Sequence, residues 1–128
     1  MDMTRKAVSN VLVIDDQAEI RSVLSRVIKD YPDLRVSEAA TPETARQLWR
    51  KLQPGLIFLD LYLPELDGLK LLAEIKKEAF DTHVIVVTGQ HDVETGKEAL
   101  EAGAWDYIDK PFDVKRVREL VELWMAVA

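Results

Sequence analysis

Apolar and polar positions along the chain follow two rhythms. Four short apolar runs have the character of buried strands: NVLVI at residues 10–14, LRVSEA at 34–39, LIFL at 56–59 and HVIVV at 83–87. A weaker fifth, WDYID, lies at 105–109. Between the runs apolar residues recur at helical spacing. Ile20, Val23, Leu24, Val27 and Ile28 make one stripe, with Arg21, Ser25, Arg26 and Lys29 on the opposite face. Thr41 as N-cap and Pro42 at the first helical position start a second helix, which carries Ala45, Leu48, Trp49 and Leu52 and stops at Pro54. Leu71, Leu72 and Ile75 mark a third. Residues 93–101 predict a fourth, ending near Gly103, and Val117, Leu120, Val121 and Trp124 a fifth that starts after Asp113.

Strands that are apolar on both faces and alternate with helices predict a parallel sheet covered on both sides, with right-handed crossovers. The expected fold is a doubly wound α/β sandwich of five strands and five helices. A length of 128 residues predicts a single domain, 1–128, with its core at about 9–126. No repeat or linker interrupts it.

Composition narrows the function. Acidic residues outnumber basic ones 23 to 17, a formal net charge of −6, and no Lys/Arg stripe could track phosphates, which argues against direct nucleic-acid binding. Cysteine is absent, so neither disulfides nor thiolate metal sites are possible. Apolar runs fall far short of the roughly 20 residues that span a bilayer, and MDMTRKAVSN lacks a signal-peptide apolar region. A soluble cytoplasmic protein with no membrane association is expected.

The stretch LIFLDLYLPELDGL, residues 56–69, ends a buried strand on a carboxylate, Asp60. Such a charge must sit at the strand's mouth, be compensated by cations, or both. In an open parallel sheet functional residues gather beyond the carboxyl ends of the strands. After the first strand come Asp15 and Asp16, after the third Asp60, after the fourth Thr88 and Gly89, and after the fifth Lys110 and Pro111. Three carboxylates need more positive charge than one lysine supplies, and an all-oxygen set favours a hard divalent ion, Mg²⁺. A carboxylate beside Mg²⁺, a lysine and a hydroxyl can act as nucleophile toward a phosphoryl group, with Lys110 and Thr88 stabilising the transferred oxygens.

VLVIDD, LIFLDLYLPELDG, VIVVTG and GAWDYIDKPF, in this order and spacing, resemble the receiver domain of two-component response regulators of the chemotaxis-regulator type, over nearly the whole chain. The resemblance implies a flavodoxin-like fold with strand order 2-1-3-4-5. Asp60 would be the residue phosphorylated by a sensor histidine kinase or a histidine phosphotransfer protein. Asp15 and Asp16 would bind Mg²⁺ with the Asp60 side chain and the Tyr62 carbonyl. Thr88 and Lys110 would contact the phosphoryl group, Tyr107 would be the aromatic switch, and the Lys110–Pro111 bond would be cis. An output domain or effector would read the change, with homodimerisation on phosphorylation as a further expectation. Leu63 stands where the family often has methionine, and Tyr62 and Gln90 occupy positions the family varies, which bears on phosphoryl lifetime.

Plainer readings stand beside these. Asp16 could cap the first helix, Asp67 and Gly68 could simply form a turn and helix start, and Tyr107 could be ordinary packing. His83 and His91 lack soft ligands and read as strand-end and loop residues. Trp49 and Trp124 fall on helical stripes. Trp105 could be an exposed contact site. Gly96 would cost the fourth helix about 1 kcal/mol relative to alanine and leave it easy to shift. The readout face would comprise residues 91–103, Trp105 and residues 114–118, and the kinase would dock on Gln17, Ile20, Arg21 and Leu24.

A phosphorylation-controlled signalling module needs Asp15, Asp16, Asp60, Thr88 and Lys110, and all are present. A degenerate receiver serving as a scaffold would lack one of them. An aspartate-nucleophile phosphatase would place a second acid two residues after the nucleophile, where this chain has Tyr62. A nucleotide or flavin site would need a glycine-rich cradle in place of Asp15 and Asp16. The expected protein is a phosphoacceptor that assists its own phosphoryl transfer and loss, not an enzyme acting on a separate substrate.

Overall fold

The computed structural model describes residues 8–64, 66–79, 81–89 and 93–128. Gln90 and His91, expected to bear on phosphoryl lifetime and the readout face, lie outside the described residues. Five strands, β1 (Ser9–Ile14), β2 (Leu34–Ala39), β3 (Leu56–Asp60), β4 (His83–Thr88) and β5 (Asp106–Asp109), form one parallel sheet in the order 2-1-3-4-5. They alternate with α1 (Ala18–Lys29), α2 (Pro42–Leu52), α3 (Gly68–Glu78), α4 (Val93–Glu101) and α5 (Val114–Val127). This is the flavodoxin-like α/β fold.

Successive strand residues point to opposite faces, so the apolar runs feed two cores. Leu12, Ile14, Ile57, Leu59, Val84 and Val86 pack under α2, α3 and α4, against Ala45, Trp49, Leu71, Leu72, Ile75 and Ala99. Val11, Val13, Leu56, Phe58, Ile85 and Val87 face α1 and α5, against Leu24, Val27, Ile28, Val117, Leu120, Val121 and Trp124. Each such side chain, fully buried, contributes about 1.5–3 kcal/mol, which makes these runs the main determinant of the sheet. Trp49 and Trp124 are core residues, as the stripes predicted.

Local signals set the helix starts. Thr41 accepts from the Thr44 N–H with Pro42 behind it, Asp67 accepts from the Leu69 N–H, and Asp113 from the Lys115 N–H. Asp16 does not cap α1. Gln17 holds the N-cap position without a side-chain cap bond, and Asp15, not Asp16, accepts the Gln17 N–H at 2.8 Å.

Two expectations for α1 fail on burial. Ser25, placed on the polar face, is buried, and its hydroxyl donates to Glu38 Oε2 at 2.9 Å, so the hydroxyl is satisfied from β2. Leu24, placed on the docking surface, is buried in the core and unavailable to a partner. Trp105 is half-buried and not an exposed contact, packed on the α1/α5 core with its ring edge-on to His83 at 5.3 Å.

Candidate functional site

The carboxyl ends of β1, β3, β4 and β5 converge on one rim because the parallel register brings them level. Ile14 pairs with Leu59, Asp60 with Val87, and Thr88 with Asp109. Each strand therefore delivers the polar residue that ends or follows its apolar run to the same place. Asp15 is 1% exposed and Asp60 3%, whereas Asp16 is exposed.

Oxygens of Asp15, Asp16 and Asp60 lie within 4.8 Å of one another. Asp60 Oδ1 accepts the Tyr62 N–H at 2.9 Å, and Asp60 Oδ2 lies 3.3 Å from Lys110 Nζ. The same ammonium is 3.0 Å from Asp15 Oδ2 and donates to Gln17 Oε1 at 3.0 Å. Gln17 is thus tied to Lys110 at the rim, a contact that sequence spacing alone does not reveal.

Burial pushes the Asp60 carboxyl above the usual carboxylate range, the Tyr62 N–H pulls it back, the charge of Asp15 pushes it up again and Lys110 opposes. Two of the three carboxylates, Asp15 and Asp60, share one lysine. Asp15 Oδ2, fully buried, accepts no well-directed hydrogen bond, with the ammonium as its near neighbour. A buried carboxylate oxygen left in this state is what a cation would satisfy. The all-oxygen, acid-rich set fits a hard divalent ion such as Mg²⁺.

The loop after Asp60 is folded back on itself. Tyr62 bridges Asp67 in an isolated antiparallel pair, and the Gly68 N–H donates to the Leu61 carbonyl at 3.0 Å. A Cβ on Gly68 would lie 2.3 Å from Leu61 Cα, so only glycine permits this approach. Asp67 and Gly68 are therefore the turn and helix start that their residue types suggest. Tyr62 is 53% exposed, with its ring at van der Waals distance from where a Cβ on Gly89 would stand.

Thr88 is fully buried, and its hydroxyl donates to Asp109 Oδ1 at 2.9 Å. Tyr107 is half-buried, its ring packed on the α2–α4 core. A Cβ on Gly96 would come within 2.8 Å of that ring, so the glycine makes room for the tyrosine, a role the propensity argument overlooked. The Lys110–Pro111 bond is cis.

Braces around the rim come from residues that sequence reasoning used otherwise or missed. The Arg21 Nη1 group donates to the Asp15 carbonyl at 2.8 Å, and its Nε to Glu38 at 3.2 Å. Arg116 holds Asp106, whose Oδ1 accepts the Tyr107 N–H at 2.7 Å. Asp106 lies within GAWDYIDKPF, yet nothing in that motif pairs it with Arg116, and only the helix-to-strand contact does.

Among the described residues no helix is long and apolar enough to cross a membrane. Residues 11–122 match the family described as the response regulator receiver domain. The regulatory protein AtoC of Escherichia coli K12 is 34% identical over 91% of this chain and 25% of its own length. The probable C4-dicarboxylate response regulator DctR of Bacillus subtilis 168 is 38% identical over 88% of this chain and 50% of its own. The chain thus spans a quarter to a half of these relatives. The crystal structure of the receiver domain of NtrX from Brucella abortus superposes with a TM-score of 0.86 at 32% identity, covering 92% of this chain and 99% of that one.

Proposed function

This chain belongs to the response regulator receiver domain family of two-component systems, and on that premise we propose that Asp60 is its phosphoacceptor. The reading makes residues 1–128 one receiver domain, core about 9–126, that passes a phosphorylation signal to a reader. The observation that carries it is the Asp60 carboxylate, buried at the mouth of β3 with Lys110 Nζ at 3.3 Å and the oxygens of Asp15 and Asp16 beside it.

Asp60 attacks phosphorus, the bond to the donor breaks, and an acyl phosphate forms. With a phosphohistidine donor the cleaved bond is P–N, and the imidazole leaves neutral after taking up a proton. Lys110, already on Asp60 Oδ2, is placed to bind the transferred oxygens as charge moves onto them. Thr88 is the hydroxyl donor that follows the new phosphoryl group. Asp15, Asp16, Asp60 and the Tyr62 carbonyl would hold Mg²⁺, which supplies neutralisation of phosphoryl charge. Tyr107, on the Gly96 notch, is the aromatic residue that would register the movement of Thr88. Its displacement would therefore start from a half-buried position and not from free solvent.

The donor is a histidine kinase or phosphotransfer protein approaching over Gln17, Ile20 and the loop after Asp60. The reader is an output domain or effector on the α4–β5–α5 face, where Val93, Leu100 and Val114 are exposed apolar residues and where phosphorylated copies would dimerise. The test is labelling with acetyl phosphate and Mg²⁺ followed by mass spectrometry. A labile adduct on Asp60, absent in Asp60→Asn, is expected, and an undiminished adduct in Asp60→Asn would refute the assignment.

A further inference from the structure

Resting on the phosphoacceptor reading and deepening it, we propose that Asp109 is a positioning residue that competes with the phosphoryl group for the Thr88 hydroxyl. It thereby sets how readily the domain enters its switched state.

Thr88 and Asp109 are register partners on adjacent parallel strands, and the Lys110 N–H donates to the Thr88 carbonyl at 2.8 Å. The backbone is therefore pinned, and the Thr88 side chain selects a partner by rotating about χ1. A hydroxyl has one proton to donate. In this structure that proton goes to Asp109 Oδ1 at 2.9 Å, while the Ile108 carbonyl, at 3.5 Å, is at the limit of contact. Donation to a phosphoryl oxygen on Asp60 and donation to Asp109 exclude one another.

The competitor is strong. Asp109 lies outside the Asp15, Asp16 and Asp60 cluster, and among the described residues it forms no ion pair and accepts one side-chain hydrogen bond, from the Thr88 hydroxyl. Hydrogen bonds to an ionised acceptor are roughly twice as strong as neutral ones. Thr88 has no solvent exposure, so water cannot satisfy its hydroxyl during the exchange. The fraction of molecules with the hydroxyl released scales the apparent affinity for any group that needs it. Half-buried Asp109 recovers part of that charged bond from water, so removing this acceptor should tighten binding of a phosphoryl mimic by roughly three- to tenfold.

The experiment titrates the beryllium fluoride complex, with Mg²⁺ present, into the wild type, Asp109→Ala, Asp109→Asn, Thr88→Ala and the Thr88→Ala/Asp109→Ala double variant. Asp109→Ala should bind more tightly. Asp109→Asn, which keeps the shape and an acceptor oxygen but loses the charge, should fall between and serves if the alanine variant does not fold. In the Thr88→Ala background the Asp109 substitution should change affinity by less than about twofold, because no hydroxyl remains to release. Unchanged or weaker binding in the folded Asp109 variants would overturn the proposal. So would an equal gain without the Thr88 hydroxyl, which would assign the effect to charge repulsion alone. If the wild type showed no Mg²⁺-dependent binding that Asp60→Asn abolishes, the phosphoacceptor reading would fall and this inference with it. A binding wild type with unresponsive Asp109 variants would overturn this inference only.

Discussion

Replacing Gly96 by alanine sets two effects against each other. Alanine in a helix interior is worth about 1 kcal/mol over glycine. The added Cβ, however, would stand 2.8 Å from Tyr107 Cε2 and Cζ and 3.0 Å from Cδ2. Carbon atoms pack at about 3.5–4.0 Å, so ring or helix must retreat by roughly 0.7–1 Å. The ring rests on the α2–α4 core and Gly96 is buried, so neither side yields freely. Overpacking of this kind costs about 1–3 kcal/mol. With the middle of that range, Gly96→Ala should destabilise the wild type by about 1 kcal/mol. In a Tyr107→Ala background only the helix term survives, and the same substitution should stabilise by about 1 kcal/mol, a coupling of about 2 kcal/mol. Urea denaturation reads both: at a slope of about 2 kcal/mol/M the midpoint should fall by about 0.5 M in the first pair and rise by about 0.5 M in the second. A midpoint that rises equally in both backgrounds would refute the idea that Gly96 exists to seat the tyrosine.

Asp60→Asn should stabilise the protein at neutral pH without divalent cations. Burial raises the Asp60 carboxyl in the fold, so its protonation supports folding below the ordinary carboxylate value and that support is lost as pH rises through the raised one. The advantage of asparagine in thermal melts should therefore shrink on acidification, and adding Mg²⁺ should raise the melting temperature of the wild type more than that of the variant. An advantage independent of pH would contradict the burial argument. If the exposed Tyr62 ring, which lies beside Gly89, shades the approach to Asp60, Tyr62→Asn should speed loss of phosphate after donor removal; an unchanged or slower rate would rule the shading out. Ile20→Glu should weaken transfer from the cognate kinase while acetyl phosphate labelling persists, since Ile20 is half-buried at the rim end of α1 and packs on the α1/α5 core; equal loss with both donors would point to damage to the site.

Much of the fold was legible because its strongest signals are local. Apolar runs separated by stripes of helical period mark the five strands and five helices, with β3 and β4 buried on both faces, whereas LRVSEA, expected as a buried strand, forms the edge strand β2 with Arg35 and Glu38 exposed. Ser25 marks the limit of such periodicity. A stripe fixes which face of α1 is apolar, but not how far the helix rolls toward β2, and Glu38 turns a serine on the predicted outer face into a buried donor.

The rim was legible for a related reason. A polar residue that follows an apolar strand in a parallel sheet has only one end of the sheet to occupy, so Asp15, Asp60, Thr88 and Lys110 could be gathered without knowing any distance. Asp109 and Gly96 belong to the same region, yet their chemistry stayed hidden. Asp109 sits inside a quoted motif, but its partner is 21 residues away, and only the pairing of Thr88 with Asp109 across β4 and β5 makes them neighbours. A shift of that register by one residue would put the Asp109 side chain on the opposite face of the sheet and leave Thr88 without it. Gly96 read as a helix defect because propensity counts what a residue does to its own helix. The aromatic ring that needs its missing Cβ arrives from a different strand. Both residues make contacts that exist only with β5 in place, so β5 carries information about this domain that no window along the chain contains.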